Sequence, residues 1–330
     1  MPQEITTEEA KLFLERITPN KNYLYIFQPS GLADILCVGG LSYAVQRQKN
    51  KSATVLIVNE GAKNFGINYK NVAKISYIEP QILNAIRKYL DDNDIHETDN
   101  LIYGYFDTYK PENFTVSEGL NLLDYYRKKV FHLPESTPCR PPIITPLSAD
   151  EISYWNKQYT FDKERTIILS IYFNSKNSAE IKFWGDVIQR LQEKNYIVYQ
   201  YAENFFDPSI PNVKKILANF SELSYMAKNV KCFIGSRIGV SIFLAMATPA
   251  NVIFLNQFPA WFWNIHEIFP NSNGRTLYIV RDFFKSLIYS TYEDGAIVDM
   301  EVSHPKINQE DMFYLYEEML ESVWDYVEKL

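Results

Sequence analysis

"SGLADILCVGG", residues 30–40, follows the apolar and aromatic run Tyr23 to Phe27. The run reads as a strand, and the apolar spacing of the stretch itself reads as a helix. A strand, a Gly-bearing turn and a helix form a place where nucleotide phosphates often sit, because a helix N-terminus offers free N–H donors and the positive end of a dipole. Here the turn carries Asp34. A dinucleotide fingerprint needs three spaced glycines, and this turn supplies only Gly31 before the acid. A carboxylate in the first helical turn is itself favoured by the dipole and repels a pyrophosphate seated there. The loop of Ser30 and Gly31 is therefore read as presenting an acid. Two roles for Asp34 stay open, a helix cap or a catalytic carboxylate.

Outward from this stretch, strands are predicted near 23–28, 53–58, 73–78 and 100–106, and helices near 32–48, 81–92 and 116–131. The alternation breaks at "HLPESTPCRPPIITPLSAD", residues 132–150, which holds five of the 16 prolines. Proline stiffens a chain and removes ladder donors, so this segment reads as a linker. Strands then follow at 165–173, 196–202, 231–236 and 250–256, with helices at 179–194, 221–229 and 238–247. Strand–helix alternation means parallel sheets covered on both faces. Two such halves predict an α/β chain of two Rossmann-like domains, 1–145 and 146–330, facing across a cleft. A last helix near 309–330 sets Met312, Tyr316, Met319, Leu320, Val323 and Val327 at helical spacing. It must pack one face, with a return onto the first domain as one option.

With 330 residues, 46% apolar and 15% aromatic, the chain can bury two large cores. A net charge of −7 and the lack of any Lys/Arg block argue against nucleic acid as a partner. The opening "MPQEITTEEAKLFLERI" lacks the cationic start and apolar middle of a secretory signal, and no apolar run approaches the roughly 20 residues of a membrane span. A cytoplasmic location is expected. Cys37, Cys139 and Cys232 are scattered and fit reduced, buried thiols. The four histidines, His96, His132, His266 and His304, show no ligand spacing, which argues against a His-built metal centre.

Ligands in open parallel sheets bind beyond the carboxyl ends of the strands. In the second half that places "FNSKNSAEIKFWGD", residues 173–186, where Asn174, Ser175, Lys176, Asn177 and Ser178 surround a helix start and no carboxylate intrudes before Glu180. This is a better phosphate site than the first loop, with Lys182 a short turn into the helix to neutralise a leaving diphosphate. A polar turn with a capping Ser is the alternative. After "KCFIG" comes a second Gly/Ser turn, in which Ser236, Gly239 and Ser241 accompany Arg237, a planar phosphate clamp. Gly235 and Gly239 permit close backbone approach.

The three loops, in this order, resemble the ADP-heptose:lipopolysaccharide heptosyltransferase family of GT-B glycosyltransferases. "GLADIL" is similar to that family's G-x-G-D-x-L, with Ala33 for the second Gly. "KFWG" keeps Lys182 and Trp184 of a Lys-x-Trp-Pro element, with Gly185 for Pro. "SRIGVSIFLAMATPANVIFL" keeps a small-residue helix and Thr248-Pro249 but puts Ser236, Arg237 and Ser241 where the family has Asp, a hydroxyl residue and His. The likeness spans about 10–60 and 165–257. It implies a GT-B fold, an N-terminal acceptor domain, a nucleotide-sugar donor held by the C-terminal domain, and Asp34 as the base. It further implies inversion at the anomeric centre and a surface glycan such as lipopolysaccharide or capsule as acceptor. The side chains lost from the third loop lie near the donor in the family, so the donor sugar is left open.

The residues agree with that chemistry. Glycosyl transfer to a hydroxyl requires a base for the hydroxyl and positive charge or N–H groups for the departing diphosphate. Asp34 would supply the first, and Lys176, Lys182 and Arg237 the second. No Asp-x-Asp element stands at a strand end, so no metal or other cofactor is expected, and "DDND" at 91–94 reads as a solvated turn after a helix. The helix dipole should lower the pKa of Asp34 and weaken it as a base, unless burial raises it again. Expected partners are the nucleotide-sugar and a glycan or lipid-linked acceptor, with a peripheral contact at the inner membrane surface of a bacterial cell. A sugar-nucleotide epimerase of the same fold, or a non-catalytic member that binds a glycan or a partner, are the alternatives. "FPAWFWNIHEIF", 258–269, reads as packing rather than a pocket with His266 as acid or base. Glu222 reads as part of a helix start with Ser221 as its cap, and the 24 tyrosines read mostly as packing with a wet end.

Overall fold

Strand–helix alternation becomes two parallel sheets in the computed structural model. The structure describes residues 5–29, 31–104, 120–171, 178–203, 209–236, 238–256, 274–278, 321, 323–324 and 327–330. The chain forms two compact units. The first comprises 1–146 with 219–224 and 238–247, and the second 147–218, 225–237 and 248–330.

In the first unit, β1 (Tyr23–Gln28) pairs in parallel with β2 (Ala53–Asn59) and β4 (Leu101–Tyr103), and β3 (Val72–Ile78) lies outside β2. One sheet face, including Tyr25, Phe27, Val55 and Ile57, packs on Ala10 and Leu14 of α1 (Thr7–Ile17) and Leu83, Ile86 and Leu90 of α3 (Pro80–Asp92). Those spacings of three and four make a single apolar stripe on each helix. Thr6 and Glu9 close α1 with a reciprocal capping box, a signal legible in "TTEE". The alternate strand residues Leu24, Ile26, Leu56 and Val58 are buried as well, and α2 (Leu32–Gln48) packs on these strands.

Helix α2 is buried continuously from Ala33 to Ser42, so it has no solvent face there. Its far side is covered by α8 (Ile238–Ala247) and by the Pro-rich stretch. A Cβ on Gly40 would overlap the Cys139 thiol and come within 2.7 Å of the Arg140 carbonyl. The Arg140 N–H donates in turn to the Gly40 carbonyl at 3.0 Å. Phe220, at the start of α7 (Phe220–Ala227), stacks on Phe243 of α8 with ring centres 3.6 Å apart and leans on Phe65. Asn219, rather than Ser221, caps α7, since its side chain accepts from the Glu222 N–H and Glu222 answers on the Asn219 N–H.

The second unit carries six strands in the order β10-β9-β8-β5-β6-β7. These are β5 (Thr166–Ser170), β6 (Ile197–Ala202), β7 (Lys214–Leu217), β8 (Cys232–Gly235), β9 (Val252–Asn256) and β10 (Gly274–Tyr278). Helix α6 (Ser178–Glu193) sends Trp184, Val187, Ile188 and Leu191 into a core with Ile167, Leu169, Cys232 and Ile234. Val323 and Val327 of the last helix lie in this same core, and Trp324 meets Tyr196 edge-on.

Several elements differ from expectation. The segment 116–131 ends as α4 (Leu122–Tyr125) running into a π-type turn at Tyr126–Val130. Helix α5 (Ala149–Gln158), at the end of the Pro-rich stretch, was not expected, and the signal that marks it is the Ser148/Glu151 capping box. Strand β7 is only four residues long, "KKIL", and too short for periodicity to register. Asp91 and Asp92 are not in a loop but in the last turn of α3, where Asp92 pairs with Lys88 at 2.7 Å and Asp91 with Arg87 at 3.6 Å. The three cysteines are unbridged, with Cys37 and Cys232 buried.

Candidate functional site

Each sheet has a topological switch point, where consecutive strands leave in opposite directions and the adjacent loops splay apart. In the first sheet it lies between β1 and β4, in the second between β5 and β8. The loop "PSGLAD" leaves β1 at the first switch point.

Gly31 caps α2 without a side-chain bond, and Asp34 is the third residue of the helix. Asp34 is only 7% exposed. Burial pushes its carboxyl up to about 6, against the opposing pull of the Tyr126 hydroxyl and the N–H groups of Asp34 and Gly31. The contest between dipole and desolvation is thus won by desolvation. Asp34 is more than a cap, because its Oδ1 accepts from the Tyr126 hydroxyl at 2.8 Å. The Gln28 amide donates to the same phenol oxygen at 2.6 Å. Gln28 ends β1 and is fully buried, and its Oε1 has no partner among the described residues. Tyr126 is fully buried too, so it departs from the packing-with-a-wet-end reading. Burial and Asp34 push its hydroxyl well above the ordinary tyrosine range. A carboxylate poised near neutrality and held by a donor that stays protonated is suited to accept a proton. The one sequence signal for this cluster is the polar Gln28 closing the apolar strand "YLYIFQ".

At the second switch point the strands close on each other. Any Cβ on Gly235 would overlap the Ser170 carbonyl, which accepts from the Ser236 N–H at 3.0 Å. The buried Ser170 hydroxyl has no partner among the described residues. Gly235 therefore serves an approach between neighbouring strands of this chain. Gly239 likewise admits Leu32, whose Cβ would sit 2.7 Å from a Cβ added there. Gly239 and buried Ser241 lie in the first turn of α8, so the structure brings them together with Gly31 and Asp34 in one unit. Lys182 lies in α6, and its neighbour Trp184 is a fully buried core residue. Ser30, Asn174, Ser175, Lys176, Arg237 and His266 lie outside the described residues.

A cavity of about 490 Å³ lined by Lys49, Lys51, Glu97, Thr98 and Asp99 lies at the amino ends of the strands, on the wrong side for the switch point. Among the described residues no group of three His, Cys, Asp or Glu is placed to hold a metal ion, and no helix is long and apolar enough to cross a membrane.

Two doubly wound parallel sheets joined in one chain are an α/β architecture of the GT-B type. A glycosyl transferase family 9 structure from Veillonella parvula shares this fold, with a TM-score of 0.51 and 10% identity over 92% of this chain and 98% of that one. E. coli ADP-heptose lipopolysaccharide heptosyltransferase II aligns at TM-score 0.45 and 12% identity, covering 77% and 90% of the two chains. E. coli heptosyltransferase WaaC with ADP aligns at 0.43 and 11%, covering 79% and 94%. By sequence, no family model and no curated protein matches the chain.

Proposed function

We propose that this chain is an inverting glycosyltransferase that moves a sugar from a nucleotide-sugar to a hydroxyl of a surface glycan acceptor. The observation that carries the reading is Asp34: a buried carboxyl, raised to about 6 and hydrogen-bonded to Tyr126, at the switch point of the first sheet. The fold shared with the Veillonella glycosyl transferase supports it.

At neutral pH Asp34 is mostly ionised. It takes the proton of the acceptor hydroxyl as that oxygen bonds to the anomeric carbon, and the bond from that carbon to the diphosphate oxygen breaks. Displacement from the opposite face inverts the centre. The nucleoside diphosphate leaves with the bonding pair, neutralised by Lys176, Lys182 and Arg237 together with Asn174 and Ser175. Because these cations supply the neutralising charge, the proposed reaction is metal-independent.

The test is nucleoside diphosphate release from a panel of ADP-, UDP-, GDP- and CDP-sugars with lipid-linked glycan acceptors, alongside thermal shift with each nucleotide. One nucleotide family should raise Tm, and its sugar conjugate should release diphosphate only when acceptor is added. Release or isomerisation without acceptor would point to an epimerase instead. No shift and no turnover with any donor would overturn the reading.

A further inference from the structure

Asp34 has two carboxylate oxygens, and the structure treats them differently. Oδ1 accepts from Tyr126 at 2.8 Å. Oδ2 faces the loop that follows β1, 3.8 Å from where a Gly31 Cβ would stand. Tyr126 could give its hydrogen to Asp34 or to another acceptor, but its own oxygen already receives the Gln28 amide at 2.6 Å. With Gln28 acting as donor, the phenol hydrogen goes to Asp34, the acceptor it meets among the described residues. The three residues come from β1, α2 and the π-type turn at 126–130, and such turns often place a side chain for function.

From this arrangement, and resting on the glycosyl-transfer reading above, we infer that Tyr126, oriented by Gln28, is the positioning residue of the base. It fixes the carboxylate plane through Oδ1 and leaves Oδ2 to take the proton of the acceptor hydroxyl. Gln28 acts one step further back by setting the direction of the chain of hydrogen bonds. The titratable groups that act on or beside Asp34 among the described residues are Tyr126, Tyr125 and Cys37. Burial raises all three, Tyr125 to about 12, so each is neutral where Asp34 titrates. Among the described residues the neighbouring cation, Arg127, is held by the Asp124 carboxylate at 2.8 Å and the Thr137 carbonyl at 2.9 Å, and none bonds to Asp34.

The experiment is a carboxyl titration of protein labelled with 13C at the aspartate side chain, with the Asp34 signal assigned by its loss in Asp34→Asn. In Tyr126→Phe the Asp34 midpoint should rise by about one to two pH units, because a hydrogen bond to the charged form is lost. Tyr69→Phe is the control, since Tyr69 donates to the Leu36 carbonyl of the same helix without touching Asp34. Its midpoint should stay at the wild-type value. If Tyr126→Phe fails to fold, Gln28→Leu gives a smaller rise of the same sign, because it removes the amide that directs the phenol hydrogen without adding a charge. In turnover, Tyr126→Phe should lower kcat about 10- to 100-fold with acceptor KM unchanged, and should move the acidic limb of the pH profile upward. An unmoved midpoint in Tyr126→Phe, or an equal movement in Tyr69→Phe, overturns the inference. Absence of turnover in the wild type would overturn the transferase reading alone, since the titration decides the role of Tyr126 independently.

Discussion

The two switch points are built from the same strand–turn–helix unit yet prepared for different chemistry. At the first, a carboxyl is buried and its side-chain hydrogen bond comes from Tyr126, 92 positions along the chain. At the second, the strand ends are pressed together through Gly235 and Ser170, and the Ser236 N–H is spent on the Ser170 carbonyl. Burial raises the proton affinity of a carboxyl, whereas a phosphate needs uncommitted donors. One fold thus buries an acid at one switch point and presses strand ends together at the other, according to what fills the turn.

The comparison breaks most completely at Asp34. Asp34→Asn should lower transfer about 10³-fold, within the range of general-base contributions, while donor-induced thermal shift is kept. Stability should move the other way. Protonated Asp34 favours the folded state, a contribution fully present below 3.8 and lost as pH rises through about 6. Wild type should therefore lose stability between about pH 4 and 6, and Asp34→Asn should flatten that slope in urea titrations and be about 1–2 kcal/mol the more stable at pH 8.

The second centre breaks at Gly235. Gly235→Val forces a side chain onto the Ser170 carbonyl and should cost about 3 kcal/mol or more, read as a lowered urea midpoint. Gly239→Val tests the contact between two helices, since its nearest neighbour is the Leu32 Cβ, fixed to the α2 backbone, and only the outer Leu32 atoms can give way. It should cost about 1–3 kcal/mol and lower transfer by moving α8 off the turn that holds Asp34. Lys88→Ala removes an exposed helical pair far from both centres and should change stability by under about 0.5 kcal/mol, with transfer untouched.

Much of the fold was legible. The strand at 23–28 and the helices at 32–48 and 238–247 stand where the sequence places them, and because all three are buried on every side over most of their length it is the length of each apolar run and the Gly-bearing turns that mark them. Short β7 and capped α5 escaped for opposite reasons. The first has too few residues to show a period, and the second is marked by polar capping residues rather than by apolar spacing. Of the site, Asp34 was visible as an acid in the wrong place for a phosphate loop. Tyr126 was not, since one tyrosine among 24 carries no mark of what it meets.

The sequence by itself determined the order of strands and helices, the parallel sense of the sheets and the acid in the first turn, all of them consequences of local patterning and chain connectivity. Tertiary structure alone decided that Gln28 and Tyr126 meet 98 positions apart, that α8 covers α2, and that the Asp34 carboxyl titrates near 6. Desolvation and hydrogen-bond direction depend on which distant segments close over a group, and no local pattern encodes that.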